Sequence, residues 1–61
     1  MTGRECQDLA HEIEQMVEGV DCWYDPINNT FKLATDEQRP IQIPVPYYQA
    51  LWGFATLIQP D

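Results

Sequence analysis

The chain has 61 residues, two cysteines and a formal net charge of -7, which ten acidic residues produce against three basic ones. A chain of this length forms one domain and hides only about 60% of its unfolded surface, so its margin of stability is thin. We therefore predict a single small acidic domain over residues 1–61. Its negative charge disfavours direct binding to nucleic-acid phosphates and to anionic membranes.

Cysteine content and the N-terminal sequence indicate the cellular setting. Cys6 and Cys22 are too few for a disulfide scaffold, so we expect free thiols packed as small apolar groups. No apolar stretch with a basic flank, the mark of a secretory signal, is visible at the start. These observations together predict a cytoplasmic protein.

The first predicted element is an amphipathic helix over residues 3–18. Thr2 and Glu5 have the spacing of a capping box, and Gly19 suits the C-cap. Apolar residues recur every three or four positions and form one arc: Cys6, Leu9, Ala10, Ile13, Met16, Val17 and Val20.

A β-hairpin follows, because two segments with a two-residue period, residues 20–24 and 30–34, flank a turn that is either the two asparagines or all of residues 26–29. Asn28 and Asn29 are residues that adopt positive φ in such turns. The alternation puts Trp23 and Lys32 on the outer face and the remaining apolar side chains on the core face: Cys22, Tyr24, Phe31 and Leu33.

A third strand is predicted where Ile41, Ile43 and Val45 alternate with Gln42 and Pro44. Pro44 cannot donate a ladder hydrogen bond, so this strand should lie at an edge. The polar loop over residues 35–39 precedes it. The order helix, hairpin, third strand, helix predicts an α+β fold with the helices packed on one face of a small antiparallel sheet.

The last predicted element is a helix over residues 47–58, with Pro46 in its first turn. A helical wheel sends one set of side chains into the core: Tyr47, Ala50, Leu51, Phe54, Leu57 and Ile58. The opposite face holds Tyr48, Gln49, Trp52, Gly53, Ala55 and Thr56. This helix is therefore apolar nearly all round, although it is too short to span a membrane, which takes about 20 residues.

The outward face of this helix is the predicted partner-binding surface. No charged residue occurs from Pro40 to Pro60, and a chain this small has little else with which to cover both helix faces. We expect a protein partner or a second copy to cover it, with Tyr48, Trp52, Gly53 and Thr56 in contact and Trp23 as a secondary site. In the alternative, Tyr48 and Trp52 fold over the sheet edge within one molecule.

Residues for catalysis and for cofactors are sparse. The chain has no serine, and we expect Cys22 to face the core, away from His11 on the solvated side of the first helix. Two cysteines and one histidine without a C-x-x-C spacing do not make a metal site. We predict no enzyme activity, no metal and no cofactor.

The sequence leaves two functions open. The first is a protein–protein interaction module, either a homo-oligomer or a regulatory subunit of a larger assembly. The second is an inhibitor that imitates nucleic-acid phosphates and occupies the basic cleft of a DNA- or RNA-binding protein. The carboxylates that would serve the second function lie along the first helix: Glu5, Asp8, Glu12, Glu14 and Glu18.

Overall fold

The computed structural model describes residues 1–35 and 39–60 and has the predicted α+β fold. The predicted loop over residues 35–39 has its centre, residues 36–38, outside the described residues. The strands form one antiparallel sheet in the order β1–β2–β3. The elements in chain order are α1 (Gly3–Met16), β1 (Asp21–Asp25), β2 (Thr30–Ala34), β3 (Ile41–Pro44), a 3-10 helix (Val45–Ala50) and α2 (Leu51–Ile58).

Helix α1 begins as predicted and ends two residues early. The Glu5 backbone N–H donates to Thr2 Oγ1 at 3.1 Å, and Glu5 Oε1 accepts from the Thr2 N–H at 3.0 Å, which completes the capping box. The C-cap is Val17, which is extended, so the predicted C-cap at Gly19 is wrong. Gly19 instead lies in the following turn with φ +81°, where a Cβ would stand 2.7 Å from Pro60 Cγ. Met16, in the last turn, is exposed rather than part of the apolar arc.

The hairpin turn comprises residues 26–29, and Asn29 has the positive φ expected of a turn asparagine. Asp25 organises this turn. Its carboxylate accepts hydrogen bonds from the Ile27 N–H at 3.0 Å and from Asn28 Nδ2 at 2.8 Å, and it pairs with Lys32 Nζ at 3.3 Å. A short polar side chain that binds the backbone two residues ahead stabilises a turn of this kind.

The core lies on one face of the sheet. Phe31 and Leu33 of the central strand are fully buried there, together with Ile13 of α1 and Leu51 of α2. Trp23 pairs with Lys32 on the opposite face, as predicted. Strand β3 pairs only with β2 among the described residues, which confirms its edge position.

The C-terminal helical segment, residues 45–58, differs most from its prediction. It starts as a 3-10 helix, and Tyr47 is not helical at φ -100° and ψ 24°. A 3-10 helix advances about 120° per residue and an α-helix about 100°, so one wheel does not hold across both. Ala55 is buried although it was placed outward. Of the predicted core face, Leu51 is buried and Ala50 and Ile58 are half-buried, whereas the prediction was wrong for three exposed residues: Tyr47, Phe54 and Leu57.

The substitution Asp25→Ala should lower the urea midpoint of unfolding at neutral pH, and its effect should shrink in acid. The Asn28 side chain, foremost, together with backbone N–H donors and Lys32, lowers the pKa of Asp25 below its ordinary value of 3.8. A lowered folded-state pKa gives stability that is complete above the unfolded-state pKa and is lost as the pH falls through the folded-state value. Circular dichroism in urea at neutral and acidic pH measures the difference, and an equal difference at both would contradict the role of the charge.

Candidate protein-binding surfaces

A groove lies between α1 and the C-terminal helical segment. Its apolar walls include Leu9, Tyr48 and Trp52, and the carboxylates along it come from Glu5, Asp8 and Glu12. It is open to solvent and has a volume of about 540 Å³. We call it the acidic groove. Its walls offer aromatic contact area, and its rim offers negative charge.

The charge of the acidic groove follows from helix geometry. Residues 5, 8 and 12 are three and four positions apart, so they form one stripe along α1. Hydrogen bonds from Thr2, backbone first and side chain second, lower the pKa of Glu5 below its ordinary value. No lysine or arginine of the described residues lines the groove. The positive group that does act there is the Met1 ammonium, whose charge contributes to the lowered pKa of Glu5.

A second, uncharged groove runs along the other side of α2. It is lined by Gln49, Ala50, Gly53, Phe54 and Leu57 and has a volume of about 320 Å³. Leu57 is 78% exposed and Phe54 is 41% exposed. Apart from the backbone of its own helix and its chain neighbours, no atom of the described residues lies within 4 Å of the place where a Cβ on Gly53 would stand. The uncharged groove therefore has no cover from the described part of its own chain.

The predicted partner-binding residues divide between these surfaces. Tyr48 and Trp52 line the acidic groove, whereas Gly53 lines the uncharged groove. The exposed Thr56 donates its hydroxyl to the Trp52 backbone oxygen at 2.8 Å, a bond within α2. Trp23 lies elsewhere, in a hollow between α1 and β1. The predicted partner-binding residues therefore do not form one patch. Tyr48 and Trp52 lie on one side of the C-terminal helical segment and Gly53 on the other, and Trp23 is distant from all of them.

The five carboxylates of the predicted acidic face divide as well. Glu5, Asp8 and Glu12 line the acidic groove. Glu14 lines the hollow between α1 and β1, and Glu18 lies in the turn after α1 has ended. The row of carboxylates along α1 therefore contains three residues rather than the predicted five.

Phe54 and Leu57 are surface residues that the helical wheel assigned to the core, whereas Leu9 of the α1 apolar arc packs against the core cluster. Leu9 is half-buried in the wall of the acidic groove. The sequence contains one indication that Phe54 and Leu57 are exposed, namely the prolines Pro44 and Pro46 on either side of Val45. Pro46 lies in the first turn of the 3-10 helix, and that helix changes the angular positions of the side chains that follow it around the helix axis.

The hollow between α1 and β1 contains the residues considered for catalysis. Cys22 is buried in the core cluster and His11 is exposed, as expected, although both border the hollow. Burial, and secondarily the charge of Glu14, raises the pKa of the Cys22 thiol to about 12. A thiol with that pKa is protonated at neutral pH and is a poor nucleophile. Within residues 1–35 and 39–60, no three metal-binding side chains converge.

Comparison of this chain with known protein families, with curated proteins and with solved structures found no match. Neither helix in the described part of the chain has the length and hydrophobicity that crossing a membrane requires.

Cys6 and Cys22 should resist alkylation in the folded protein near neutral pH and should both react in denaturant. Cys6 and Cys22 are buried, at 1% and 4% exposure, and the raised pKa of Cys22 leaves little thiolate. Mass spectrometry after timed treatment with iodoacetamide measures the reaction. Rapid labelling of Cys22 without denaturant would show that the hollow admits reagents and that the thiol is activated.

Proposed function

We propose that this protein is a non-enzymatic protein-interaction module in which a second copy of the chain covers the uncharged groove. The observation that carries the proposal is the exposure of large apolar side chains within one short segment. These are Tyr47, Tyr48, Trp52, Phe54 and Leu57. Of these, Phe54 and Leu57 line the uncharged groove. Exposed apolar surface marks interaction sites, because leaving it in water costs free energy that association recovers.

Charge favours a second copy at the uncharged groove. Each chain carries a net charge of -7, so two copies repel each other over most of their surface. Residues 40–60 contain no charged side chain, and the uncharged groove belongs to this part of the chain. Two copies that meet there bring apolar side chains together and keep their acidic helices apart. A symmetric dimer is the simplest form of such a contact.

Gly53 supports a close contact between helices. Glycine inside a helix destabilises it by roughly 0.5–1 kcal/mol relative to alanine. Its own molecule gives no packing reason for it, since the space beyond Gly53 is open. The close approach of another helix backbone to the uncharged groove supplies a reason, because a residue without a Cβ lets two backbones come near.

The proposed module works in the reducing cytoplasm, where buried free thiols such as Cys6 and Cys22 persist. It acts either as a homo-oligomer or as a regulatory subunit of a larger assembly. Imitation of a nucleic acid has less support, because Glu14 and Glu18 lie apart from the carboxylates of the acidic groove.

The substitution Leu57→Glu should convert a dimer to a monomer. Leu57 is 78% exposed, so glutamate there leaves the core of the single molecule intact and puts a charge into the uncharged groove. Sedimentation equilibrium over a range of concentrations measures the mass. The matched control is Ile27→Glu in the hairpin turn, where the side chain is 92% exposed and the change of charge is identical. A wild type that stays monomeric at every concentration, or equal masses for both variants, would remove the proposal.

The substitution Gly53→Ala should have opposite effects on folding and on association. In the Leu57→Glu monomer it should raise the free energy of unfolding by roughly 0.5–1 kcal/mol, the difference in helix propensity. In the wild-type background it should weaken the dimer, because the added methyl group separates the two backbones. Urea unfolding measures the first effect and sedimentation the second. A dimer unaffected by Gly53→Ala would contradict the close helix contact.

A further inference from the structure

We propose that the acidic groove binds a cationic amphipathic helix of another protein. This goes beyond the proposed self-association, since it assigns a different surface and a different partner and holds whether or not the chain dimerises. The occupant would lie along α1, with basic side chains on the carboxylate stripe and an apolar side chain against Trp52 and Tyr48.

The walls of the acidic groove supply the apolar part of such a contact. Trp52 and Tyr48 are each 37% exposed, and half-buried Leu9 lies beside them in the groove. Tryptophan and tyrosine are the residues that most often carry binding energy in protein interfaces. Their ring faces also attract lysine and arginine cations. The volume of the groove, about 540 Å³, lies within the range of about 300–1,000 Å³ that is usual for pockets that hold drug-sized molecules.

The stripe of carboxylates supplies the polar part and indicates a helical partner. Glu5 and Glu12, with Asp8 between them, are seven positions apart on α1, which is about 10 Å at the helical rise of 1.5 Å per residue. A partner helix with lysine or arginine at the same three- and four-residue spacing presents its charges at the same separation. An amphipathic helix that lies in a groove is an established mode of recognition. The groove is open to solvent rather than enclosed, which suits a helix that lies on its surface better than a small enclosed ligand.

A second copy of this chain does not have the chemistry to fill the acidic groove. Its basic residues are Arg4, Lys32 and Arg39, which are too far apart in sequence to form a stripe on one helix. Lys32 is already paired with Asp25. The acidic α1 of another copy would add repulsion. The two grooves therefore differ in partner because they differ in charge.

The test uses a synthetic amphipathic peptide with lysines at positions i, i+3 and i+7 on one side and leucines on the adjacent side. One control peptide replaces each lysine with glutamate, and another has the same composition in scrambled order. Isothermal titration measures affinity, and amide and indole NMR shifts locate binding. Both are recorded on the full chain and on Leu57→Glu, so that loss of self-association and loss of groove binding are read separately.

Two double variants with equal net charge distinguish peptide binding in the acidic groove from electrostatic attraction of the peptide to the whole protein. Asp8→Lys/Glu12→Lys reverses two carboxylates in the groove, while Glu14→Lys/Glu18→Lys reverses two outside it. We expect the first to weaken peptide binding about tenfold more than the second, as the reversal of two surface charge contacts implies. Glu5 is left unchanged because it belongs to the capping box. We also expect Trp52 indole shifts to exceed those of Trp23.

Each remaining outcome overturns the proposal. Equal weakening by both double variants would mean attraction to net charge only. Equal binding of the scrambled peptide would exclude recognition of a helix, and N-acetyl-lysine amide that binds as tightly as the peptide would make the groove a small-cation site. Loss of the wild-type dimer in Asp8→Lys/Glu12→Lys would assign the groove to a second copy. Absence of peptide binding, with sedimentation unchanged, would reject this inference and leave self-association standing.

Discussion

The burial of one face of a three-stranded sheet is the constraint on which the rest of this molecule depends. Phe31 and Leu33 of β2 are fully buried, and they lie in one cluster with Ile13 from α1 and Leu51 from α2. A domain of about 60 residues has only enough chain for one such layer. Both helices are therefore used to cover the same sheet face, and no further element among the described residues covers the helices. Exposed apolar area on the C-terminal helical segment is a consequence of this single layer.

The change from 3-10 helix to α-helix decides which side chains carry that exposed area. The Tyr47 backbone departs from helical angles, so the face buried by α2 starts at Leu51 and continues through Ala55 and the half-buried Ile58. A small residue then occupies the core, and the larger Phe54 and Leu57 point away from it. The same rotation places Trp52 toward α1 and Gly53 away from the core. One local change of helical pitch thus produces two grooves of different charge on opposite sides of α2.

Local rules were sufficient for much of the fold. The capping box at Thr2, the hairpin faces of Phe31 and Leu33, and the edge position of β3 follow from spacing and alternation, which depend on neighbours in sequence. The wheel over residues 47–58 failed because it assumed one helical period across the segment. The grooves could not be predicted either, because each forms from segments that are distant in sequence. In the acidic groove, Leu9 lies beside Tyr48 and Trp52 only after the chain has folded. The absence of charged side chains from residues 40–60, by contrast, is evident from the sequence alone.

Pro44 affects what the sheet itself can join. The Val45 N–H donates to the Asn29 oxygen at 3.2 Å, and the register pairs Pro44 with Thr30. Because antiparallel pairs alternate between inward and outward backbone groups, those of Gln42 and Pro44 point away from β2. Proline has no N–H, so Gln42 is the one outward amide donor in this four-residue strand. A foreign strand therefore finds one backbone donor along this edge, and the covalent structure of Pro44, rather than charge or cover, weakens strand addition there.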